Sequence, residues 1–417
     1  MERINIDNKK NFLSAIENFH CPLVKAEVRK EEKINREALL QKECPDLMNP
    51  FTVEARGDRK TEDVYYELLK SFNYSLQNHF SLVLNTKLED AKDSKDNWSI
   101  ITIGSDGRLE KAFKGYRLDS QRGGQAIVRF SSIELVILIK DQCVEIGQIK
   151  EVIQSLLKNK YYRKYFTPEY EIKDILDYNS LLQYQKTGDL YPSRVINSNL
   201  LAGNADFLRQ AKKQIEQYMI SKEDSEQCLD ILRDRLQNDY LQVIFTGLNQ
   251  YYKPPVPNFN LEKGIAYYGQ IQGRKERGKS NAFKFGPLRF LQLALEISAL
   301  HQVHKGRQNI LIDMPANTDE QIHYLHDNGL LNLSATEVQK LSSIYKYFIL
   351  LQHKSQYLSQ FEDIGEIEFD RSEVAERLIE LIELTDKGLI MSENQTILGG
   401  QKEQQLKEQL SALKKYL

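Results

Sequence analysis

Two runs of branched apolar residues separated by a glycine-serine turn place the strongest constraint on how this chain can fold. Ser99-Ile100-Ile101-Thr102-Ile103 breaks into Gly104-Ser105-Asp106-Gly107-Arg108-Leu109-Glu110, and Ser132-Ile133-Glu134-Leu135-Val136-Ile137-Leu138-Ile139 begins 22 residues after Glu110. Branched side chains are stiff in a helix and fit a pleated sheet, so both runs read as strands. The second is apolar at successive positions from Leu135 onward, the pattern of a strand covered on both faces. Ala126 to Phe130 reads as a further strand, and the glycine-containing stretch 111–125 as the loop or hairpin before it. From Thr61, apolar residues recur every fourth position at Val64, Leu68, Phe72, Leu76 and Phe80, with Tyr65 and Leu69 beside them. That periodicity predicts an amphipathic helix packed on the sheet.

Beyond about residue 200 the pattern turns helical. Phe207, Ala211, Ile215 and Met219 share one face, and Leu229, Leu232, Leu236 and Val243 to Leu248 extend a second helix until Pro254, Pro255 and Pro257 stop it. Helices are then expected from Pro287 to about His304, Asp319 to Asp327, Ala335 to about Tyr357, Ser372 to Leu384, and Gln401 to the end. With 417 residues, and about 100 to 200 residues per domain, two or three domains are expected. They are an N-terminal extension over 1–60 broken by Pro22, Pro45 and Pro50, an α/β domain over 61–200, and a helical domain over 201–417. The fold class is α+β, a small mixed sheet with helices followed by a mostly α-helical domain.

Charge leaves any binding of nucleic acid or a membrane to a local patch. The 57 Lys and Arg residues nearly balance the 59 Asp and Glu, so the molecule as a whole has no field to attract nucleic acid or an anionic membrane. Cys21, Cys44, Cys143 and Cys228 are too widely spaced for the usual zinc motifs or a disulfide framework. With no apolar signal core and no run of roughly 18 apolar residues, a cytoplasmic protein without a membrane partner is expected.

The turn between the two strands has the layout of a nucleotidyl-transfer site. A strand-end Gly-Ser lets backbone amides approach a triphosphate without an intervening Cβ, and acidic side chains on the next strand bind Mg²⁺ or Mn²⁺. Gly104 and Ser105 are the phosphate cradle, with Arg108 and Lys111 as further phosphate contacts. Glu134, in an apolar strand where an unpaired carboxylate is costly, is the metal-ligand candidate. A salt bridge from Glu134 to Arg108 competes with that reading, as does an ordinary turn for Gly104-Ser105 alone.

Taken together, these residues resemble the polymerase-beta-like nucleotidyltransferase superfamily, whose pattern is Gly-Ser, Gly-Arg, then Asp-x-Asp or Asp-x-Glu entering a second strand. Gly104-Ser105-Asp106-Gly107-Arg108 and Ser132-Ile133-Glu134 look like the kanamycin nucleotidyltransferases. Tyr191-Pro-Ser-Arg194 to Asn204 and Phe285-Gly286-Pro287-Leu288-Arg289 to Gln292 resemble stretches of the bacterial uridylyltransferases that modify a nitrogen-control signal protein. The resemblance implies metal-dependent transfer of a nucleoside monophosphate from an NTP, with ATP the expected donor, to a protein, RNA or small-molecule acceptor. Ser105, Arg108 and Glu134 would then be catalytic.

The chain departs from the family pattern at the metal site. Ser132 stands where the family has its first carboxylate, and Pro192 or Ser193 and Phe290 replace two further acids. Glu169 or Glu171 could supply a third ligand, Glu171 being the one assigned, and Asp119 could replace the first. The alternative reading is therefore a catalytically degenerate fold acting as a nucleotide-sensing or protein-interaction module. A basic loop carrying Arg274, Lys275, Arg277 and Lys279 leaves a third reading, RNA binding.

Overall fold

The computed structural model describes residues 50–51, 53–88, 98–115, 128–130, 134–139, 146–158, 172–177, 191–220, 222–241, 244, 259–260, 265–269, 280–281, 283–361, 366–392, 395–396, 398 and 403–417. The extension up to residue 49, Asp119, Ser132, Glu169, Glu171, the prolines at 254–257 and the basic loop lie outside the described residues. The protein is an α+β chain in two compact units, Met1–Gln185 with Leu190–Gln214, and Lys186–Asp189 with Ile215–Leu417.

In the first unit α1 (Thr61–Lys87) precedes β1 (Trp98–Thr102), the one-turn α2 (Gly104–Gly107), β2 (Phe113–Gly115), β3 (Val128–Phe130) and β4 (Leu135–Ile139). Then come α3 (Ile146–Lys158), β5 (Ile172–Asp177), α4 (Tyr191–Ile196), β6 (Asn199–Gly203) and α5 (Ala205–Ile220), within which the division between units falls. Four strands form a mixed sheet in the order β5-β4-β1-β6, with β1 antiparallel to both neighbours and β4 parallel to β5. Ile100 lies opposite Ile137, and every residue of β4 is buried, as its apolar run predicts, as is every residue of β1. β3 falls within the expected strand, and it pairs separately with β2, which lies in the stretch read as a loop or hairpin.

The apolar stripe of α1 buries Val64, Tyr65, Leu69, Phe80 and Leu84, and the same helix buries the polar Asn73 and Gln77. At the far end of the sheet Gly203 adopts φ +92°. A Cβ there would stand 2.6 Å from the Trp98 carbonyl oxygen and 2.7 Å from its ring, so a glycine lets β6 close over the indole.

The second unit continues with α6 (Lys222–Arg235), which loosens into a π-type turn at Leu236–Leu241, then β7 (Phe259–Asn260), β8 (Ile265–Gly269) and β9 (Ser280–Asn281). Helices α7 (Arg289–His304), α8 (Ile310–Asp313), α9 (Thr318–Asp327) and α10 (Ala335–Phe361) follow. After them come β10 (Glu366–Glu368), α11 (Arg371–Gly388), the paired β11 (Ile390–Ser392) and β12 (Gln395–Thr396), and α12 (Glu403–Leu413). The helices match the periodicities, but this unit is not helical throughout. β8 pairs antiparallel with β7, β9 and β10, a small sheet that bridges segments about a hundred residues apart. α7 is buried without a break from Phe290 to His301, which makes it the central helix of its unit. The buried Glu216 carboxylate accepts from the Asn309 and Leu311 amides at 3.0 and 2.7 Å, satisfying donors at the start of α8. Among the described residues no helix is long and apolar enough to cross a membrane.

The start of α10 carries a capping box. Ser334 Oγ accepts from the Glu337 amide at 3.3 Å, and Glu337 Oε2 accepts from the Ser334 amide and hydroxyl, each at 2.9 Å. Lys387 Nζ donates to the other Glu337 oxygen. Chiefly through Lys387, and then through Ser334, the Glu337 carboxyl is held down at about 2 from its ordinary 4.5. A depressed acid contributes stability above its unfolded pKa, and that contribution disappears as pH falls through the folded value. A carboxyl NMR titration should therefore find Glu337 with a midpoint near pH 2, and Lys387→Met should move the midpoint up.

Candidate functional site

The turn after β1 is built by backbone constraint. Gly104 adopts φ +63°, a conformation natural to glycine, and so turns the chain out of the strand into the single turn of α2. The amides of Gly107 and Arg108 bond back to the carbonyls of Ile103 and Gly104, at 3.1 and 3.2 Å. The first amides of such a turn have no partner within it and are donors available to an anion. Leu109 exits at φ +60°, unusual for a leucine, and the Glu110 amide bonds to the Ser105 carbonyl at 2.8 Å.

Side chains from two other elements tie this turn down. Gln77 Nε2 of α1 donates to the Asp106 carbonyl at 2.5 Å, and Asn199 Nδ2 of β6 donates to the Gly107 carbonyl at 2.5 Å. Asn73 Nδ2 bonds the carbonyls of Leu69 and Lys111. These contacts explain the polar side chains buried on an otherwise apolar helix face. They satisfy carbonyls that the turn exposes to the core.

Glu134 immediately precedes β4. Its carbonyl accepts from the Ile103 amide at 3.1 Å, and its own amide donates to Asp106 Oδ2 at 3.0 Å. Between these bonds its carboxylate lies across Gly104: a Cβ on Gly104 would stand 2.7 Å from Glu134 Oε2. The structure thus brings together Gly104, Ser105 and Glu134, three residues the sequence singles out, in a cradle that a side chain at position 104 would fill.

Arg108 and Lys111 point into the protein's own network. Arg108 is 5% exposed, and its Nε donates to Glu110 Oε2 at 2.9 Å. Glu110 Oε1 accepts from the Tyr66 hydroxyl at 3.0 Å. Lys111 Nζ lies 3.3 Å from Asp106 Oδ2. Arg108 therefore meets Glu110 across this bond, and in this structure both basic residues hold the turn. Asp106 and Glu110 are the two residues of the site that sequence reading missed. Burial pushes the Asp106 carboxyl above the usual carboxylate range. Lys111 and the Glu134 amide oppose that shift, and the Glu134 charge adds to it.

The metal-site expectation is only partly within view. Glu134 is half-buried, while Glu171 and Ser132 lie outside the described residues. Ile172, which follows Glu171, is the register partner of Leu135, which follows Glu134. Among the described residues no three His, Cys, Asp or Glu side chains group as metal ligands. Mg²⁺ commonly uses one or two carboxylates together with substrate phosphates, so the Glu134 carboxylate over a Cβ-free cradle fits such an ion.

His304 Nδ1 lies 2.9 Å from Ser225 Oγ and 3.2 Å from the Met219 carbonyl, next to the end of α5. His323 Nε2 lies 4.0 Å from Asp319. No protein-family model matches the chain, and no curated protein matches it significantly.

Proposed function

We propose that this protein is a nucleotidyltransferase, acting at the turn between β1 and β4. The observation that carries the reading is the Glu134 carboxylate lying over the bare α-carbon of Gly104, 2.7 Å from where a Cβ would stand. Gly104 and the amides of the α2 turn would receive the phosphates of an NTP, with the Ser105 hydroxyl beside them. Glu134, with Glu171 as the expected second carboxylate, would hold Mg²⁺ or Mn²⁺. When bound, the ion neutralises charge on the reacting phosphate. The chain's own part is to fix the Glu134 backbone at both its amide and its carbonyl and to keep side chains out of the cradle.

A second reading, a nucleotide-sensing module without transfer, is favoured by one specific observation. Arg108 and Lys111, the cations expected at the phosphates, are engaged with Glu110 and Asp106.

The test is purified full-length protein with each of the four labelled NTPs, with and without Mg²⁺ or Mn²⁺, beside Glu134→Gln. The expected result is metal-dependent binding and self- or acceptor-labelling with one nucleotide, and at least about tenfold weaker binding in Glu134→Gln. Ligand at about 100 times its Kd stabilises the native state by roughly 2.7 kcal/mol, which a melting experiment detects. Binding without transfer selects the sensing module. If no NTP binds with either metal, both readings fall.

A further inference from the structure

We infer that Asp106 is a positioning residue that aims the Glu134 carboxylate at the phosphate cradle. The inference rests on the nucleotidyltransferase reading of that site. Glu134 lies before the first paired residue of β4, so the β1–β4 ladder that begins at Thr102 opposite Leu135 does not by itself fix its backbone. Two bonds do so in its place. The Ile103 amide donates to the Glu134 carbonyl, and the Glu134 amide donates to Asp106 Oδ2 at 3.0 Å. The first is a backbone bond that almost any residue pair could make. The second requires an acceptor on a short side chain at position 106, inside the very turn that forms the cradle. Asp106 thus couples the two halves of the site through one oxygen.

Lys111 completes the device. Its ammonium lies 3.3 Å from the same Oδ2, and Lys111 is itself fixed through its carbonyl by Asn73 of α1. Gln77, one turn further along α1, holds the Asp106 carbonyl. Asp106 is therefore held at both ends, its Oδ2 by the Glu134 amide and Lys111 and its carbonyl by Gln77, and its side chain is only 5% exposed. That burial, and the double engagement of Oδ2, argue against Asp106 as a direct ligand of a hydrated ion. They suit a residue that acts through Glu134. Such outer partners typically change metal affinity by about 10- to 100-fold when removed.

The experiment measures Mn²⁺ affinity by electron paramagnetic resonance, in the presence of the α,β-methylene analogue of each of the four NTPs, on the full chain. It is run with wild type, Glu134→Gln, Asp106→Ala and Asp106→Asn, each melted without metal. Asparagine keeps an oxygen that can accept the Glu134 amide, whereas alanine does not. Asp106→Ala is expected to bind Mn²⁺ about 10- to 100-fold more weakly. Asp106→Asn is expected to stay closer to wild type than to the alanine variant. A purely structural role would make affinity follow the metal-free melting temperature across the series, and that outcome overturns the inference. So does equal weakening in Asn and Ala variants, which would make the charge the agent. If Asp106→Ala does not fold, Asp106→Leu, of similar volume and without an acceptor, takes its place. Failure of the wild type to bind Mn²⁺ with the α,β-methylene analogue of any of the four NTPs brings down the site reading and the inference together. Wild-type binding lost in Glu134→Gln but intact in Asp106→Ala overturns the inference alone.

Discussion

Glu110→Ala is expected to destabilise the first unit by roughly 3–5 kcal/mol, the usual cost of removing one partner from a buried ion pair. The Glu110 side chain is 1% exposed and that of Arg108 is 6%. One Glu110 oxygen takes Arg108 Nε at 2.9 Å, and the other takes the hydroxyl of the buried Tyr66 at 3.0 Å. Truncation removes a charged acceptor from a cation held out of water and an acceptor from a buried phenol. Urea unfolding followed by the fluorescence of Trp98 checks this directly. Trp98 is the chain's one tryptophan and lies fully buried in β1, so it reports the first unit. Glu110→Gln should lose less, because the amide oxygen can still accept from one partner. Replacing the pair together, Arg108→Met with Glu110→Leu, should recover part of the loss, since an apolar pair avoids the cost of burying charge. A Glu110→Ala variant unfolding at the wild-type urea concentration would remove the pair from any role in holding the turn.

That ion pair also marks where sequence reading reached its limit. The strands flanking the turn were legible because branched apolar runs have few other solutions, and α1 because its four-residue stripe is nearly unbroken. Gly104, Ser105 and Glu134 stood out in the sequence because a Gly-Ser turn leaving one strand and an acid entering the next, apolar one form a combined pattern, whereas either alone reads as ordinary structure. Asp106 and Glu110 did not, although they sit among those residues. An acid beside a glycine reads locally as an ordinary solvated turn. What gives Asp106 its role is an amide 28 residues away, and what gives Glu110 its role is a hydroxyl 44 residues away. Neither partner leaves a periodic trace. The same holds for β8 and β10. Two strands of three to five residues flanked by helical periodicity carry too short an alternation to register, and their pairing joins distant segments. The available signal was on α1, where Asn73 and Gln77 continue the line of Tyr65 and Leu69 beside the apolar stripe with amides able to donate to carbonyls.

Gly107→Ala is expected to cost about 3 kcal/mol or more, at the upper end of overpacking penalties, because the new methyl would meet backbone that cannot rotate away. Its Cβ would stand 2.3 Å from the Asn197 carbonyl oxygen, 2.8 Å from that of Thr102 and 3.3 Å from the Ser198 α-carbon. Those atoms belong to the end of β1 and to the connection from α4 into β6. Relief therefore requires separating the turn from the strand that pairs beside it, with loss of the Asn199 bond to the Gly107 carbonyl. Gly104 provides the control within the same turn. A methyl there meets the end of a side chain, Glu134 Oε2, which can swing aside, so the stability cost is mainly that of φ +63°, about 1–2 kcal/mol. The two substitutions should separate fold from site. Gly107→Ala should lower the urea midpoint reported by Trp98 well below that of Gly104→Ala. Gly104→Ala should remain folded and lose metal-nucleotide affinity, because its methyl occupies the space the Glu134 carboxylate now overhangs. Equal midpoints for the two variants would mean that the close approach at Gly107 is relieved without disturbing the β1–β6 edge. Undiminished affinity in a folded Gly104→Ala would mean that the cradle is not where the phosphates lie.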